Sequence, residues 1–300
     1  MEVGMKLTWD ALIAPTDVAV FEREVFARKP LHLGARDIPA SGLEELDGWR
    51  RLLAGQVSRS QGARTVVDLD PSKSAPSKGL SPELAALLDA GGPLIVNGVE
   101  TMNQVVGQLA RAVAAGLGGR AVVNAYISPY RRDALDLHAD DHDVVVLQLQ
   151  GVKSWTLGSK IARGLAHSSL FVIDNASVSA LARERDSFRS LDIHPGDLLY
   201  LPRGLAHRAT ARDSLSIHLS IGVFRSTGLD FTEFVLKRLI GEARTRDYLG
   251  HPHAAHDDTE ISADLDYIAD RLSEFARDEK LRREFQELRR RAAGIEQGET

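Results

Sequence analysis

The sequence predicts a mainly β protein: a jelly-roll core, with helices before it and a helical appendage after it. Three observations carry this. Val144 to Leu147 is a β-branched apolar run flanked by polar residues. Ser214 to Ile221 alternates strictly, with Leu215, Ile217, Leu219 and Ile221 on one face and Ser216, His218 and Ser220 on the other. Two polar motifs, at 138–143 and 194–207, are distant in sequence and share metal-binding residue types. Two packed antiparallel sheets can bring such motifs together.

Composition narrows the class. The 43% apolar fraction is enough for a proper core. The absence of cysteine excludes disulfides, thiolate zinc sites and cysteine nucleophiles. A net charge of -5 gives no direct sign of nucleic-acid binding. No apolar run reaches the roughly 18 residues of a membrane helix. The first residues lack a secretory layout. The expectation is a cytoplasmic protein with no membrane contact.

The elements follow in order. Residues 8–29 read as helical pieces, with Asp17 as a cap and Val20, Phe21 and Phe26 on the apolar side. Lys29 to Leu33 reads as an edge strand opened by Pro30, with His32 as a packed histidine rather than a ligand. Gly42 to Leu53 reads as a helix and Arg64 to Asp70 as a strand. Pro71 to Pro82 is a polar loop, a surface connection or a substrate-facing segment. Leu84 to Leu88 reads as a short helix and Pro93 to Asn97 as a strand. Val105, Leu109, Val113 and Leu117 give a helix from Glu100 that Gly118 and Gly119 stop. Ala121 to Ser128 alternates as a strand, with Asn124, Tyr126 and Ser128 on one face. Arg131 and Arg132 are loop charges or substrate contacts.

From Leu229 the pattern turns helical through Ile240, and again through Leu265, Ile268, Leu272, Phe275, Leu281, Phe285 and Leu288. The histidine-rich segment 250–258 between these runs reads as a loop. The expected organisation is a core domain over 1–226 and a helical region over 227–300.

The site chemistry starts at His138-Ala-Asp-Asp-His-Asp143. If this stretch is strand, His138 and Asp140 share a face and Asp141 and Asp143 take the other. His142 shares the face of His138 but lies further along, so it is read as facing substrate or supporting the site. Downstream, Pro195-Gly196 turns the chain, and Pro202 and Gly204 form a second turn that delivers His207. His138, Asp140 and His207 are the candidate metal ligands and catalytic centre. Two histidines and one carboxylate leave open positions on iron(II). Lys153 shares a strand face with Trp155 and Leu157, unusual surroundings for a surface lysine.

These residues resemble a known family, the JmjC-type, cupin-fold oxygenases, and within them the ribosomal-oxygenase-like branch. The resemblance covers most of residues 8–226. It rests on Phe26 to Leu33, Asn124 to Pro129, His138-x-Asp140 through Gln148, Gly151, Lys153 and Trp155, and Gly196 to His207. It implies a double-stranded β-helix with iron(II) and 2-oxoglutarate as co-substrate. It also implies His138, Asp140 and His207 as metal ligands and Lys153 at the far carboxylate of 2-oxoglutarate. Asn124 and Tyr126 match pocket-lining positions, and His218 joins them as a candidate beside the site. The expected reaction is hydroxylation of an amino-acid side chain in a protein or peptide. The alternatives are a small-molecule or carrier-bound substrate, and a non-catalytic cupin-like binding protein. A metal-dependent cupin isomerase or dioxygenase without 2-oxoglutarate is a further possibility. About 70 residues follow the barrel, room for a helical dimerisation segment but not for a complete winged helix. A homodimer through the C-terminal helices is the expected assembly.

Overall fold

The computed structural model describes residues 7–35, 43, 46–61, 64–70, 81–90, 93–128, 136–168, 170, 187–212, 215–247, 249 and 258–294. Most of the Pro71–Pro82 loop, Arg131, Arg132 and the histidines of 251–257 lie outside them. The chain divides into two compact units: residues 1–165 with 174–225, and residues 166–173 with 226–300.

The first unit is built on two sheets. The strands are β1 Leu31–Leu33, β2 Ser58–Gln61, β3 Arg64–Asp68, β4 Leu94–Asn97, β5 Arg120–Ser128, β6 Asp143–Gln150, β7 Lys153–Ile161, β8 Phe188–Ile193, β9 Leu198–Leu201, β10 Leu205–Ala211 and β11 Ser216–Phe224. Eight form one sheet in the order β1-β9-β6-β11-β5-β4-β3-β2, and β10-β7-β8 form the other. Apart from the parallel β3–β4 pair, the pairings are antiparallel. This is the jelly-roll arrangement, as predicted.

The apolar run of β6 is explained by burial on both faces. Val145 and Leu147 enter the larger core with Ile217, Leu219 and Ile221, while Val144 and Val146 enter a second core with Trp155 and Leu157. Period-2 geometry sends alternate side chains to opposite faces, so a strand covered on both sides reads as continuous apolar sequence.

Helices α1 Trp9–Ile13, α2 Val18–Val20, α3 Leu46–Leu52, α4 Pro82–Asp89 and α5 Gln104–Leu117 complete this unit. Asp17 caps α2 as expected, accepting from Ala19 and Val20 N–H groups. A π-helical turn, Phe21–Val25, follows. It places Phe21 edge-on against Trp9 and Tyr200 at 5.2 and 5.1 Å. The α5 helix starts later than predicted. Glu100 belongs to a 3-10 turn, Val99–Thr101, and Asn103 is the cap, accepting from Val106 N–H. The β1 strand is an edge strand paired with β9. His32 corrects the expectation of a packed histidine: it is exposed, and its Nε2 lies 2.9 Å from Asp197 Oδ2. Its apolar neighbours alternate away from it, so they bury their own face and not its ring.

In the second unit, α6 Gly228–Ile240 opens with a capping box of Thr227 and Asp230. Its Phe231 and Phe234 pack on Phe285 of a later helix at 5.1 and 5.5 Å. That helix, α8 Glu279–Ala292, follows α7 Asp258–Arg277. Arg271 bridges Glu242 at 2.7 Å, and Arg244 bridges Asp264 at 2.8 Å. No described helix is long and apolar enough to cross a membrane.

Candidate metal centre and cavity

The two motifs meet through the backbone first. His138 and His207 form an antiparallel bridge: His138 N–H donates to His207 C=O at 3.1 Å, and His207 N–H donates to His138 C=O at 2.7 Å. The hexapeptide is not the regular strand expected. The β6 strand begins only at Asp143, and residues 139–142 are irregular. His138 and Asp140 still converge, held by the bridge and by Gly204 N–H donating to Asp140 C=O at 2.9 Å.

Asp143 anchors the start of β6. It is buried and accepts from Tyr200 Oη at 2.8 Å and from Arg203 N–H at 3.2 Å. Tyr200 in turn accepts from Ala27 N–H at 3.1 Å. Burial, and then the neighbouring Asp143 carboxylate, push the Tyr200 hydroxyl above its ordinary range, so it stays protonated and donates.

His138, Asp140 and His207 each present one ligand atom, and these atoms lie within 4.8 Å of one another. His138 Nε2 is 3.6 Å from Asp140 Oδ1, and His207 Nε2 is 3.5 Å from Asp140 Oδ2. The tautomers follow from the other ring nitrogens. His138 Nδ1 lies 2.6 Å from Asp136 C=O and His207 Nδ1 2.9 Å from Leu205 C=O. A carbonyl can only accept, so both Nδ1 atoms carry the proton and both Nε2 lone pairs face the carboxylate. Carbonyl partners of this kind orient metal-binding imidazoles. Burial pushes His207 below the ordinary imidazole value despite the nearby Asp140 charge, which favours the neutral form a metal needs. The donor set fits a divalent iron with open positions.

The three groups open onto a cavity of about 240 Å³. Its wall uses alternate residues of two paired strands. Arg120, Val122, Asn124 and Tyr126 come from β5, and His218, Ser220, Gly222 and Phe224 from β11. The polar face of β11 therefore faces the cavity rather than solvent. His142 also lines it, stacked on Phe224 at 4.3 Å with its Nδ1 2.8 Å from Asp141 Oδ1. Gly222 makes room for this ring: a Cβ there would lie 2.8 Å from His142 Nε2. Arg120 and Phe224 are cross-strand partners, and the guanidinium lies 5.1 Å from the ring centre. Neither was singled out from the sequence, although extending the alternation of β5 and β11 to the strand ends reaches both.

Lys153 is fully buried. Its Nζ donates to Ser128 Oγ at 2.9 Å and meets His218 Nδ1 at 3.0 Å, so the side chain does not reach past Trp155 to water. His218 is buried too, yet lines the cavity, with its ring stacked on Tyr126 at 5.0 Å. Burial first, and the Lys153 ammonium second, hold His218 well below the ordinary value of 6.5. Asn124 Oδ1, on the same wall, is buried without a partner among the described residues, a position ordinarily satisfied by water or ligand. The buried Lys153 cation beside the cavity fits an anionic co-substrate there, whereas Asn124 Oδ1 calls for a donor such as water.

The lowered value sets a pH dependence. The unfolded chain protonates His218 below about 6.5, while the folded chain does so only at lower pH. Stability from this group is complete above that value and is lost as pH falls. The Tm of the metal-free protein should drop from about pH 7 to about pH 5, more steeply than that of His218→Phe. Equal slopes would refute the assignment of a neutral buried imidazole.

Comparison with known proteins agrees with this architecture. Residues 101–231 match the JmjC domain model. The chain is 25% identical over 265 residues to human "Ribosomal oxygenase 1", covering 83% of this chain and 41% of that protein. It is 25% identical over 233 residues to "Bifunctional lysine-specific demethylase and histidyl-hydroxylase NO66" of Drosophila persimilis, covering 75% of this chain and 32% of that one. The chain thus spans less than half the length of these curated relatives. Among solved structures, the Escherichia coli ribosomal oxygenase YcfD with cobalt and 2-oxoglutarate superposes with a TM-score of 0.51 at 18% identity, covering 89% of this chain and 68% of that chain. That likeness is one of fold. Over residues 101–231 the chain is thus similar to the JmjC domain, and over most of its length it is similar to the ribosomal oxygenases.

Proposed function

We propose that the protein is an iron(II)- and 2-oxoglutarate-dependent oxygenase that hydroxylates an amino-acid side chain of a protein or peptide. The observation that carries this is one cavity with two ends. His138, Asp140 and His207 offer three donors on its wall, His218 lines it beside Tyr126, and the buried Lys153 meets His218 Nδ1 without lining the cavity itself. In this reading the triad holds iron(II), which when bound supplies the oxidation that 2-oxoglutarate and oxygen drive. The chain's own residues do the rest. Lys153, His218, Asn124 and Tyr126 hold the far end of 2-oxoglutarate, and the apolar surround of Val144 and Trp155 excludes water.

Substrate then has to enter from the opposite end. Tyr126 pairs with His218, and Arg120 pairs with Phe224. The two pairs lie six positions apart along β5, roughly 20 Å of extended chain. Arg120, Phe224 and His142 therefore form the wall that a substrate side chain passes. The names of the relatives, ribosomal oxygenase and histidyl-hydroxylase, favour a protein substrate in this proposal.

The proposal keeps the division into an oxygenase domain over 1–226 and a dimerising helical region over 227–300, and a cytoplasmic setting. Leu265 and Leu288 are half exposed on the late helices, apolar area that a second copy would cover. A solution mass of twice the chain would support this, and a monomer would refute it.

The test of the co-substrate is anaerobic absorbance with iron(II) and 2-oxoglutarate. Wild type should show a weak visible charge-transfer band, and Lys153→Ala should lose most of it. Metal bound without a band in the wild type would rule the co-substrate out.

A further inference from the structure

An edge strand of each sheet opens onto a common groove. Among the described residues, β1 pairs only with β9 and β8 only with β7. The groove between them has a volume of about 700 Å³ and shares no lining residue with the metal cavity. On β8 the free backbone groups follow from the register. Ser159 N–H donates to Ser187 C=O, so residues of that parity bond to β7. The N–H and C=O groups of Phe188, Ser190 and Asp192 point the other way, along the open edge.

The lining is basic. Arg28, Lys29 and Arg189 contribute cations, and among the described residues no carboxylate lines the groove. Arg28 is held by neutral groups, donating to the Glu22 and Phe26 carbonyls at 3.0 and 2.9 Å, so its charge is not cancelled. Glu24, which feels the Lys29 charge, pairs with Arg23 at 2.8 Å. His32 also lines the groove, but Asp197 already meets it. Arg189 lies opposite Leu157 and so takes the core-facing side of its sheet. It is exposed there because β8 is the last strand of that sheet. Leu191 and Leu205 add apolar lining, and Phe188 is 42% exposed.

We propose that this groove docks an extended acidic segment of a partner protein, added as a further strand along β8. The partner's main chain pairs with the open groups of Phe188, Ser190 and Asp192. Its alternate side chains point into the groove, where carboxylates meet Arg189, Arg28 and Lys29. A bare edge invites any strand, and an inward-pointing charge guards against that. Here the charge also selects: an apolar strand would bury Arg189 without a counter-charge, and an acidic strand supplies one. Main-chain bonds give the affinity and side chains the selection. A nucleic-acid backbone would meet the cations but leave the row of edge amides and carbonyls unpaired. The inference is independent of what the metal cavity binds.

The probe is a fluorescein-labelled peptide of alternating Glu and Val, titrated into the full chain and followed by anisotropy. It should bind, weaken as salt rises, and slow hydrogen exchange at Phe188, Ser190 and Asp192. The same peptide with Lys for Glu should bind at least about 10-fold more weakly. Arg189→Glu should reverse that preference. Ser190→Pro removes one outward N–H, a change that an edge strand tolerates. It should weaken the Glu peptide about 10-fold. Equal binding of the two peptides, or unaltered exchange on β8 at saturation, overturns the proposal. No binding at millimolar peptide overturns it too. So does tighter binding of a uridine oligonucleotide that Arg189→Glu abolishes, which would make the groove a phosphate site. If either variant fails to fold, the peptide comparison and the exchange in wild type decide.

Discussion

Asp140→Ala is expected to abolish conversion of 2-oxoglutarate to succinate. Asp140 supplies the only carboxylate of the three-residue cluster, and its two oxygens lie 3.6 and 3.5 Å from the two Nε2 atoms. Without it, two neutral imidazoles face a divalent cation with no counter-charge. Changes to groups that merely orient metal ligands cost about 10- to 100-fold in affinity or activity. Loss of a ligand itself should exceed that range, so a fall of more than about 100-fold is expected. The measurement is succinate formation at saturating iron(II), together with a metal titration. Turnover at the wild-type rate would refute the proposed centre and the function built on it.

Gly204→Ala is expected to damage stability and metal binding together. Gly204 has φ +82°, and an added Cβ would lie 2.1 Å from Ala162 C=O. Its N–H donates to Asp140 C=O, and its C=O accepts from Ala162 N–H at 2.7 Å. The turn thus holds one proposed ligand by its backbone and delivers another, His207, three residues later. The left-handed conformation alone costs a non-glycine residue about 1 kcal/mol. The backbone clash adds to this, because the Ala162 carbonyl cannot retreat without breaking the bond at its own N–H. A destabilisation above about 2 kcal/mol and a fall in metal affinity of at least about 10-fold should result. Gly164→Ala is the control: it has φ +88° with nothing within 4 Å of the added Cβ. It should show only the conformational cost, with metal affinity unchanged. Equal effects in the two variants would show that the Gly204 contacts do not hold the site.

Much of this was legible in the residues. The alternation that runs through 216–221, the buried run of β6 and the turns at Pro195-Gly196 and Gly204 follow from local geometry, and the structure has strands and turns there. His-x-Asp and a distant His named the cluster because few other arrangements use those residue types in that order. Local pattern failed where packing decided. It read His32 as packed, since an alternating strand shows which residues share a face and not whether anything covers it. It extended the strand through 138–142, where the backbone bridge to His207 holds the histidine instead.

The sequence by itself determined the residue types of the site and, for Asn124, Tyr126, Lys153 and His218, the strands that carry them and their parity, but not the irregular backbone of His138 and Asp140. Tertiary structure alone decided depth and neighbours. Arg120 and Phe224 meet because β5 and β11 pair in one register. Lys153 reaches Ser128 and His218 only because two sheets, formed by segments far apart in the chain, pack face to face. Parity is a property of one strand, whereas the position of a buried ammonium behind an imidazole depends on the spacing between sheets. That spacing is set by the side chains of both cores at once.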